Sequence, residues 1–365
     1  MQSFISVPCH QLAQAQLHAL AKENLLNVTE EWQRACWNLI LHFTDPQQHS
    51  ITFTTSGSTG APKVISISKT HITRSARETI AFLNIKENIN TLCCLPVDKI
   101  GGAMVVLRAI VCRLQLIVVK PSLNPFLCEL PVKIHLTSLT PMQLNATLQD
   151  VRTSHIPAGI HTVLLGGSDV PRTLLDKIAG FSNRIYATYG MTETISHIAL
   201  RRLTAPAQEY YVPLPGVRCL LNEHKCLVID APHLGVHNLN TRDVAELRDD
   251  GSFKWIGRLD LVINSGGVKI HPEILEEKLQ PLIPYPFFVG GVSDDVSGER
   301  PVLFVETDEG VHEDMMRGWY TFMNKNFTKY EVPVKIVFVR EFVRTPTGKI
   351  NRKATINKLQ EMNEL

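Results

Sequence analysis

The run Thr54-Thr55-Ser56-Gly57-Ser58-Thr59-Gly60-Ala61-Pro62-Lys63 gathers hydroxyls, glycines and a lysine into ten residues. Thr55, Ser56, Ser58 and Thr59 supply O–H groups, while Gly57 and Gly60 let the backbone turn sharply and bring its N–H groups close to a ligand. Lys63 adds a cation. Such a set suits a polyphosphate. A Walker A loop is excluded, because that motif needs G-x-x-x-x-G-K-[ST] ahead of a helix and the spacing here is Gly57, Gly60, Lys63. The same composition also suits a polar hairpin connection, so the run alone leaves both readings open.

Other clusters carry chemistry of the same kind. In Tyr189-Gly190-Met191-Thr192-Glu193-Thr194, Thr192 can set a hydroxyl on a phosphate and Glu193 a carboxylate on Mg²⁺. A turn with an ordinary acidic residue fits those residues as well. Asp243 can accept both hydroxyls of a ribose, with Arg258 adding donors; as a surface ion pair the two would contribute little. Ser265-Gly266-Gly267-Val268-Lys269-Ile270 precedes a helix opening at Pro272. Arg344-Thr345-Pro346-Thr347-Gly348-Lys349-Ile350-Asn351-Arg352 sets Lys349 on a glycine-containing loop, which otherwise reads as a solvated basic turn.

Strands and helices must position these clusters. Up to about residue 200, short apolar strands alternate with helical runs. Thr70 to Leu83 is an expected helix with Ile72, Ala76, Ile80 and Leu83 on one face. Thr140 is an expected N-cap and Pro141 a favoured first helical residue. Thr162-Val163-Leu164-Leu165 and Ile185-Tyr186-Ala187-Thr188 read as strands. The alternation implies a mainly parallel sheet covered on both faces, with ligands at the carboxyl ends of its strands. Loops 54–63, 166–168 and 189–194 are therefore expected to converge on one crevice. From about 205 the texture is β-rich, with Asp250-Gly251 as a hairpin signal, and after Gly257-Arg258-Leu259-Asp260 comes a compact α+β unit.

The chain has 365 residues, 44% hydrophobic and 20% charged, enough for a buried core and more than one domain. A net charge of +2 without a basic block argues against a nucleic-acid surface. The eight cysteines show no zinc spacing and read as reduced thiols, so a cytoplasmic location without a signal peptide is expected. Ile100 to Val119 is apolar, but Arg108 and Arg113 within it would each cost about 2.5–3.5 kcal/mol at a bilayer centre, so a buried helix and strand are expected rather than a membrane span.

Taken in order, T-[ST]-S-G-[ST]-T-G-x-P-K, Y-G-x-T-E and the late P-T-G-K-I resemble the adenylate-forming superfamily of acyl-CoA synthetases, adenylation domains and luciferases, over residues 50–353. The resemblance implies an α/β fold: a large N-terminal domain (1–257) of mainly parallel covered sheets plus a β-rich subdomain, a hinge at 258–261, and a small mobile α+β C-terminal domain (262–365). It implies Mg²⁺ as cofactor, with ATP, CoA and a carboxylic acid as small-molecule partners, and leaves a homodimer open. Residue by residue, Thr55, Ser56, Gly57, Ser58, Thr59, Gly60 and Lys63 would hold the β- and γ-phosphates. Gly166, Gly167, Ser168, Tyr189, Gly190 and Met191 would line the adenine and acyl pocket. Thr192 would touch the α-phosphate, Glu193 would hold Mg²⁺, and Asp243 with Arg258 would bind the ribose. Asp260 would be the hinge, Gly266 and Gly267 would line the CoA tunnel, and Lys349 would be catalytic, bridging the acyl carboxylate and the α-phosphate.

Segment 96–108 is similar to the P-[LI]-x-H-[IV]-S-G…R segment of o-succinylbenzoate–CoA ligases, which act in menaquinone synthesis. That likeness implies a dicarboxylate substrate whose unreacted carboxylate needs a cation or donor; Lys99, Arg108 and His197 are the candidates. Lys99 stands where those ligases have His and Gly101 where they have Ser, while His224-Lys225-Cys226-Leu227 replaces G-E-[LI] and Lys269 replaces a common Asn. Loop 54–63 arrives after only 53 residues, so a reduced N-terminal subdomain is expected, and without a carrier-protein segment after Lys353 in this sequence a stand-alone ligase is expected rather than a synthetase module. Another aryl- or acyl-CoA ligase, or a nucleotide-binding protein without ligase activity, are the alternatives.

Overall fold

The computed structural model describes residues 4–54, 63–308, 311–345, 349–362 and 365. The chain opens with β1 (Phe4–Pro8), α1 (Gln14–Asn27), α2 (Glu31–Thr44), β2 (Ser50–Thr54), β3 (Val64–Ser68), α3 (Lys69–Phe82), β4 (Asn90–Cys93), α4 (Ile100–Val111) and β5 (Gln115–Val119). Next come β6 (Leu136–Leu139), α5 (Pro141–Gln149), α6 (Ile156–Gly159), β7 (Thr162–Leu165), α7 (Arg172–Ile178), β8 (Arg184–Gly190), β9 (His197–Arg202) and β10 (Val212–Pro213). A second β region holds β11 (Arg218–Leu221), β12 (Cys226–Ala231), β13 (Val236–Leu247) and β14 (Phe253–Arg258). The remainder is β15 (Ile263–Ser265), β16 (Val268–Ile270), α8 (Pro272–Leu279), β17 (Phe287–Asp294), β18 (Gly298–Glu306), α9 (Glu313–Asn326), β19 (Ile336–Val339) and α10 (Arg352–Glu361).

The large sheet has the order β1-β5-β4-β6-β7-β8-β9-β10, with β5, β4, β6, β7 and β8 parallel and the outer pairings antiparallel. Its inner strands are continuous apolar runs because both faces are covered. In β5, Leu116 and Val118 join one core while Ile117 and Val119 join another; in β7, Leu164 faces the first and Val163 and Leu165 the second. Helices α1 to α4 bury the first face, and α5 and α7 bury the second. The expected caps form: Thr140 Oγ1 accepts from the Gln143 N–H at 3.1 Å, and Gln143 answers the Thr140 N–H at 3.0 Å. Among the described residues no helix is long and apolar enough to cross a membrane.

β2 and β3 depart from the expected arrangement. They pair only with each other, as an antiparallel ribbon from Ser50↔Ser68 to Thr54↔Val64, so loop 54–63 follows a strand outside the large sheet. The cause is visible in their alternation: Ile51, Phe53 and Ile67 are buried while Thr52 and Ser66 face out. A strand with one polar face cannot occupy the two-sided interior of a covered sheet. Residues 55–62 lie outside the described residues, and with them the polyphosphate assignments to Thr55, Ser56, Gly57, Ser58, Thr59 and Gly60.

β11 to β14 form a four-stranded antiparallel sheet, and Gly251 takes a φ of +81° in the turn joining β13 to β14. β15 to β19 form a separate sheet with its own apolar cores, packed by α8, α9 and α10. The two parts touch where the Glu273 carboxylate on α8 accepts the Arg258 N–H at 3.1 Å, beside Gly257, and where Gln280 Oε1 accepts the Arg172 N–H at 3.0 Å.

Gly102 shows how tightly α4 seats. A Cβ there would lie 2.2 Å from the Pro96 carbonyl oxygen. Helix propensity alone favours alanine by about 1 kcal/mol. The backbone clash outweighs it, so Gly102→Ala should lower stability by roughly 1–3 kcal/mol in urea unfolding. A gain in stability would contradict this packing.

Candidate active site

The hairpin turn at Asp250-Gly251 brings β13 and β14 together, and a β-bulge then decides who faces whom. Ala245 pairs with Trp255, but Val244 pairs with Gly257, so Ile256 is the extra residue and Asp243 meets Arg258. Without that bulge Asp243 would face Gly257.

Asp243 is 8% exposed. Tyr189 Oη donates to its Oδ2 at 2.6 Å, Trp255 Nε1 to its Oδ1 at 3.3 Å, and Arg258 Nη1 reaches Oδ1 at 3.5 Å. A carboxylate offers about four lone-pair sites, so room remains for a ligand hydroxyl. Burial first, and the neighbouring Asp243 second, raise the Tyr189 pKa and keep its phenol a donor. Edge-on packing against Phe253 at 5.0 Å and contact with Tyr211 at 5.9 Å hold the Tyr189 ring. Arg258 also grips Asp260 with Nε at 2.9 Å and Nη2 at 3.3 Å. Burial opposes the charge on each, but the pairing outweighs it: Arg258 is held above its usual pKa and Asp260 below its own.

Tyr189 and Gly190 end β8, beside the end of the parallel strand β7, so loops 166–168 and 189–194, two of the three expected to converge, lie side by side. Gly166 packs against Thr188, and Gly167 turns with a φ of +90°. Ser168 is exposed. Gly190 admits no side chain, because a Cβ would lie 2.2 Å from the Ser196 carbonyl oxygen. The turn between them is tied by Thr194, whose Oγ1 accepts the Met191 N–H at 2.9 Å, and by Ile195 at a φ of +69°. This leaves Met191 and Thr192 half-buried and Glu193 exposed, without an ion pair or hydrogen bond among the described residues. No group of three His, Cys, Asp or Glu that could hold a metal occurs among the described residues. A divalent cation here would have Glu193 and otherwise phosphate oxygens and water, which suits Mg²⁺.

A different environment surrounds Arg108. It is 3% exposed, its Nε has no partner, and no carboxylate among the described residues pairs with it. Burial pushes its pKa down to about 10. Nη2 makes one long contact, 3.5 Å, with Ser196 Oγ. His197, also buried, lies between Ser196 Oγ at 3.3 Å and Thr79 Oγ1 at 3.0 Å. Burial and then the charge of Arg108 hold its pKa well below the usual histidine value. Arg108 and His197 therefore share one network, whereas Lys99 stands apart, half-exposed and paired with Asp98 at 3.2 Å. Sequence reasoning passed over Thr79, Ser196 and Trp255. Ser75 and Thr79 did leave a signal, as hydroxyls interrupting the apolar face of α3.

Gly266 and Gly267, with φ of +57° and +82°, make the tight turn between β15 and β16. A Cβ on Gly266 would meet the Tyr330 ring at 2.9 Å. Lys63 and Lys349 are exposed. Desolvation nonetheless draws the Lys349 ammonium below its usual pKa. The Thr345 N–H donates to the Lys349 carbonyl at 2.8 Å. Among the described residues no hydrogen bond or ion pair joins Lys349 to Asp243 or Arg108.

A covered parallel sheet with polar loops at its carboxyl ends, flanked by a buried carboxylate, is an α/β architecture that takes ligands at its strand ends. The model of the AMP-binding enzyme family matches residues 8–232, and that of the AMP-binding enzyme C-terminal domain matches 287–349. The chain belongs to this adenylate-forming family of acyl-CoA ligases. A 2-succinylbenzoate–CoA ligase of Bacillus mycoides (strain KBAB4) is 27% identical over 344 residues, 84% of this chain and 70% of that protein. An acyl-CoA synthetase (AMP-forming)/AMP-acid ligase II-like protein from Dyadobacter fermentans superposes with a TM-score of 0.63 at 29% identity, over 98% of this chain and 99% of that one. The o-succinylbenzoate CoA synthetase of Bacillus subtilis, solved with the acyl-adenylate OSB-AMP, shares the fold with a TM-score of 0.73 at 22% identity, over 83% of this chain and 68% of that one.

Tyr189→Phe would strip the shortest donor from the buried Asp243. Loss of a hydrogen bond to a charged group costs about 1.5–3 kcal/mol. Denaturant unfolding of the variant should show a loss of that size, and an unchanged midpoint would remove Tyr189 from the role given to it.

Proposed function

We propose that the chain is an ATP-dependent carboxylic acid–CoA ligase whose acid is o-succinylbenzoate, the product being o-succinylbenzoyl-CoA for menaquinone synthesis. The family supports the reaction class, and curated relatives named 2-succinylbenzoate–CoA ligase support the acid. The observation that carries the dicarboxylate part is Arg108, a buried guanidinium with no carboxylate among the described residues. A buried charge is costly unless paired. A substrate that keeps one carboxylate after the other reacts would supply the missing anion.

In the first half-reaction a carboxylate oxygen attacks the α-phosphorus, the bond to the pyrophosphate oxygen breaks, and acyl-adenylate and pyrophosphate result. In the second, the CoA sulfur loses its proton and attacks the acyl carbon, and AMP leaves. Both reactants of the first step are anionic, so preorganised positive charge and donors must act where charge develops. In this reading Asp243 and Arg258 hold the ribose, Thr192 the α-phosphate, and Lys63 with loop 55–60 the departing pyrophosphate. Glu193 would hold Mg²⁺, which supplies positive charge at the phosphates when bound. Lys349 neutralises the reacting carboxylate and α-phosphate, then withdraws as the C-terminal domain turns about Asp260, and Gly266 and Gly267 come to line the CoA path. Relocating one domain lets a single site serve two half-reactions.

ATP–pyrophosphate exchange over a panel of acids tests the substrate: o-succinylbenzoate should support exchange well above benzoate and fatty acids. Exchange with those acids alone would give the protein to another aryl- or acyl-CoA ligase activity, a reading that the departures at Lys99 and Gly101 favour. AMP binding with no adenylate from any acid would leave only a nucleotide-binding protein. Lys349→Ala should lower exchange a hundredfold or more, about the loss of one preorganised donor. Thioester formation from supplied acyl-adenylate should persist; equal loss of both steps would contradict the role.

A further inference from the structure

We propose that His197 is a positioning residue that fixes the direction of a buried hydrogen-bond chain, Ser75–Thr79–His197–Ser196–Arg108, and thereby aims Arg108 at the acid. The inference rests on the reading of Arg108 given above. The chain can be followed one proton at a time. The Thr79 hydroxyl donates to the Ser75 carbonyl oxygen at 3.0 Å. A hydroxyl has one hydrogen, so Thr79 Oγ1 can only accept from His197 Nε2, 3.0 Å away. Nε2 therefore carries the ring proton. In a neutral imidazole the other nitrogen is then an acceptor, so Nδ1 receives the Ser196 hydroxyl at 3.3 Å. Ser196 is left with lone pairs toward Arg108 Nη2 at 3.5 Å. Among the described residues the guanidinium makes that one hydrogen bond, and its buried Nε–H has no partner and stays available for an anion.

The surroundings keep the imidazole in this state. Thr79 is fully buried and His197 nearly so. Burial, and after it the cation of Arg108, disfavour an imidazolium. The opposite tautomer would make Nε2 an acceptor facing Thr79, and the one Thr79 hydroxyl hydrogen would have to leave the Ser75 carbonyl to reach it. The backbone that carries the ring is itself held in place. His197 is registered against Gly190 in the β8–β9 pair, and Gly190 has no side chain because the Ser196 carbonyl occupies that space. The turn that carries Thr192 and Glu193 is thus anchored at its base by the same residue that orients Arg108. Half-buried Ser196 is the member of the chain nearest solvent.

The test reads specificity and tautomer separately. In pyrophosphate exchange with o-succinylbenzoate, Thr79→Val and His197→Leu should raise the KM for the acid about tenfold, the size of one hydrogen bond to a charged group. The KM for ATP should stay unchanged. Thr79→Ser, which keeps the hydroxyl, should behave as the parent protein. Arg108→Gln runs alongside: if it leaves the acid KM unchanged, the reading of Arg108 fails and the relay's purpose fails with it. If Arg108→Gln raises that KM while Thr79→Val and His197→Leu do not, the relay alone is overturned. Nitrogen-15 NMR of histidine-labelled protein at pH 7 is independent of substrate and of expression of the leucine variant. The His197 signals, assigned by their loss in His197→Gln, should show a protonated Nε2 and a bare Nδ1, and Thr79→Val should mix the tautomers. An imidazolium or a protonated Nδ1 in the parent protein would overturn the proposal.

Discussion

The hydrogen bond from Tyr189 to Asp243 is the constraint on which the site depends. It joins the end of β8 in the large sheet to β13 in the antiparallel sheet, two layers that also meet through the Tyr211–Phe253 backbone bridge and the Tyr210–Glu246 hydrogen bond. Asp243 is nearly buried, and a carboxylate in that position would be costly without donors. Tyr189 meets the need from one sheet, Trp255 and Arg258 from the other. From Arg258 the polar chain continues: its guanidinium grips Asp260 and its backbone N–H meets Glu273 on α8. One network thus runs from the strand ends of the large sheet to the first helix of the C-terminal part, and its members polarise one another in a low-dielectric setting.

Arg108 is built on the opposite plan. Asp243 is surrounded by donors before any ligand arrives, whereas among the described residues the Arg108 guanidinium has a single long contact and a bare Nε. A satisfied carboxylate rigidifies a site; an unsatisfied cation marks where a site lacks an anion. In the proposed reading the two lie at opposite ends of one acyl-adenylate, ribose at Asp243 and free carboxylate at Arg108, with the 190–196 turn between them. That turn is held by a missing side chain at Gly190 and a positive φ at Ile195, both local costs that the surrounding strands absorb.

Much of the fold was legible in the chain. The parallel strands announced themselves as short unbroken apolar runs, α5 by its Thr140-Pro141 start, and the β13–β14 hairpin by Asp250-Gly251. β1, α1 and α2 did not. Ala13, which precedes α1, offers no side-chain cap, and the helix buries only Leu17 and Ala21, too few for a recognisable stripe. The ribbon β2–β3 was visible as two strands, but its separation from the large sheet was not drawn, although the alternation of buried and exposed residues pointed to it.

By itself the sequence determined the chemistry at hand: the hydroxyls, carboxylates and lysines, their order, and the strands and turns that carry most of them. Those follow from local propensity and periodicity, which act over a few residues. Tertiary structure decided which of them meet. Tyr189 and Asp243 are 54 residues apart and Thr79 and His197 are 118 apart; their contacts depend on strand order and on how two sheets and a helix stack. Even the Asp243–Arg258 pair, so near in sequence, exists because one extra residue bulges from β14 and shifts the register. A register shift and a packing angle turn whole faces of an element at once, and no local pattern of residues encodes either.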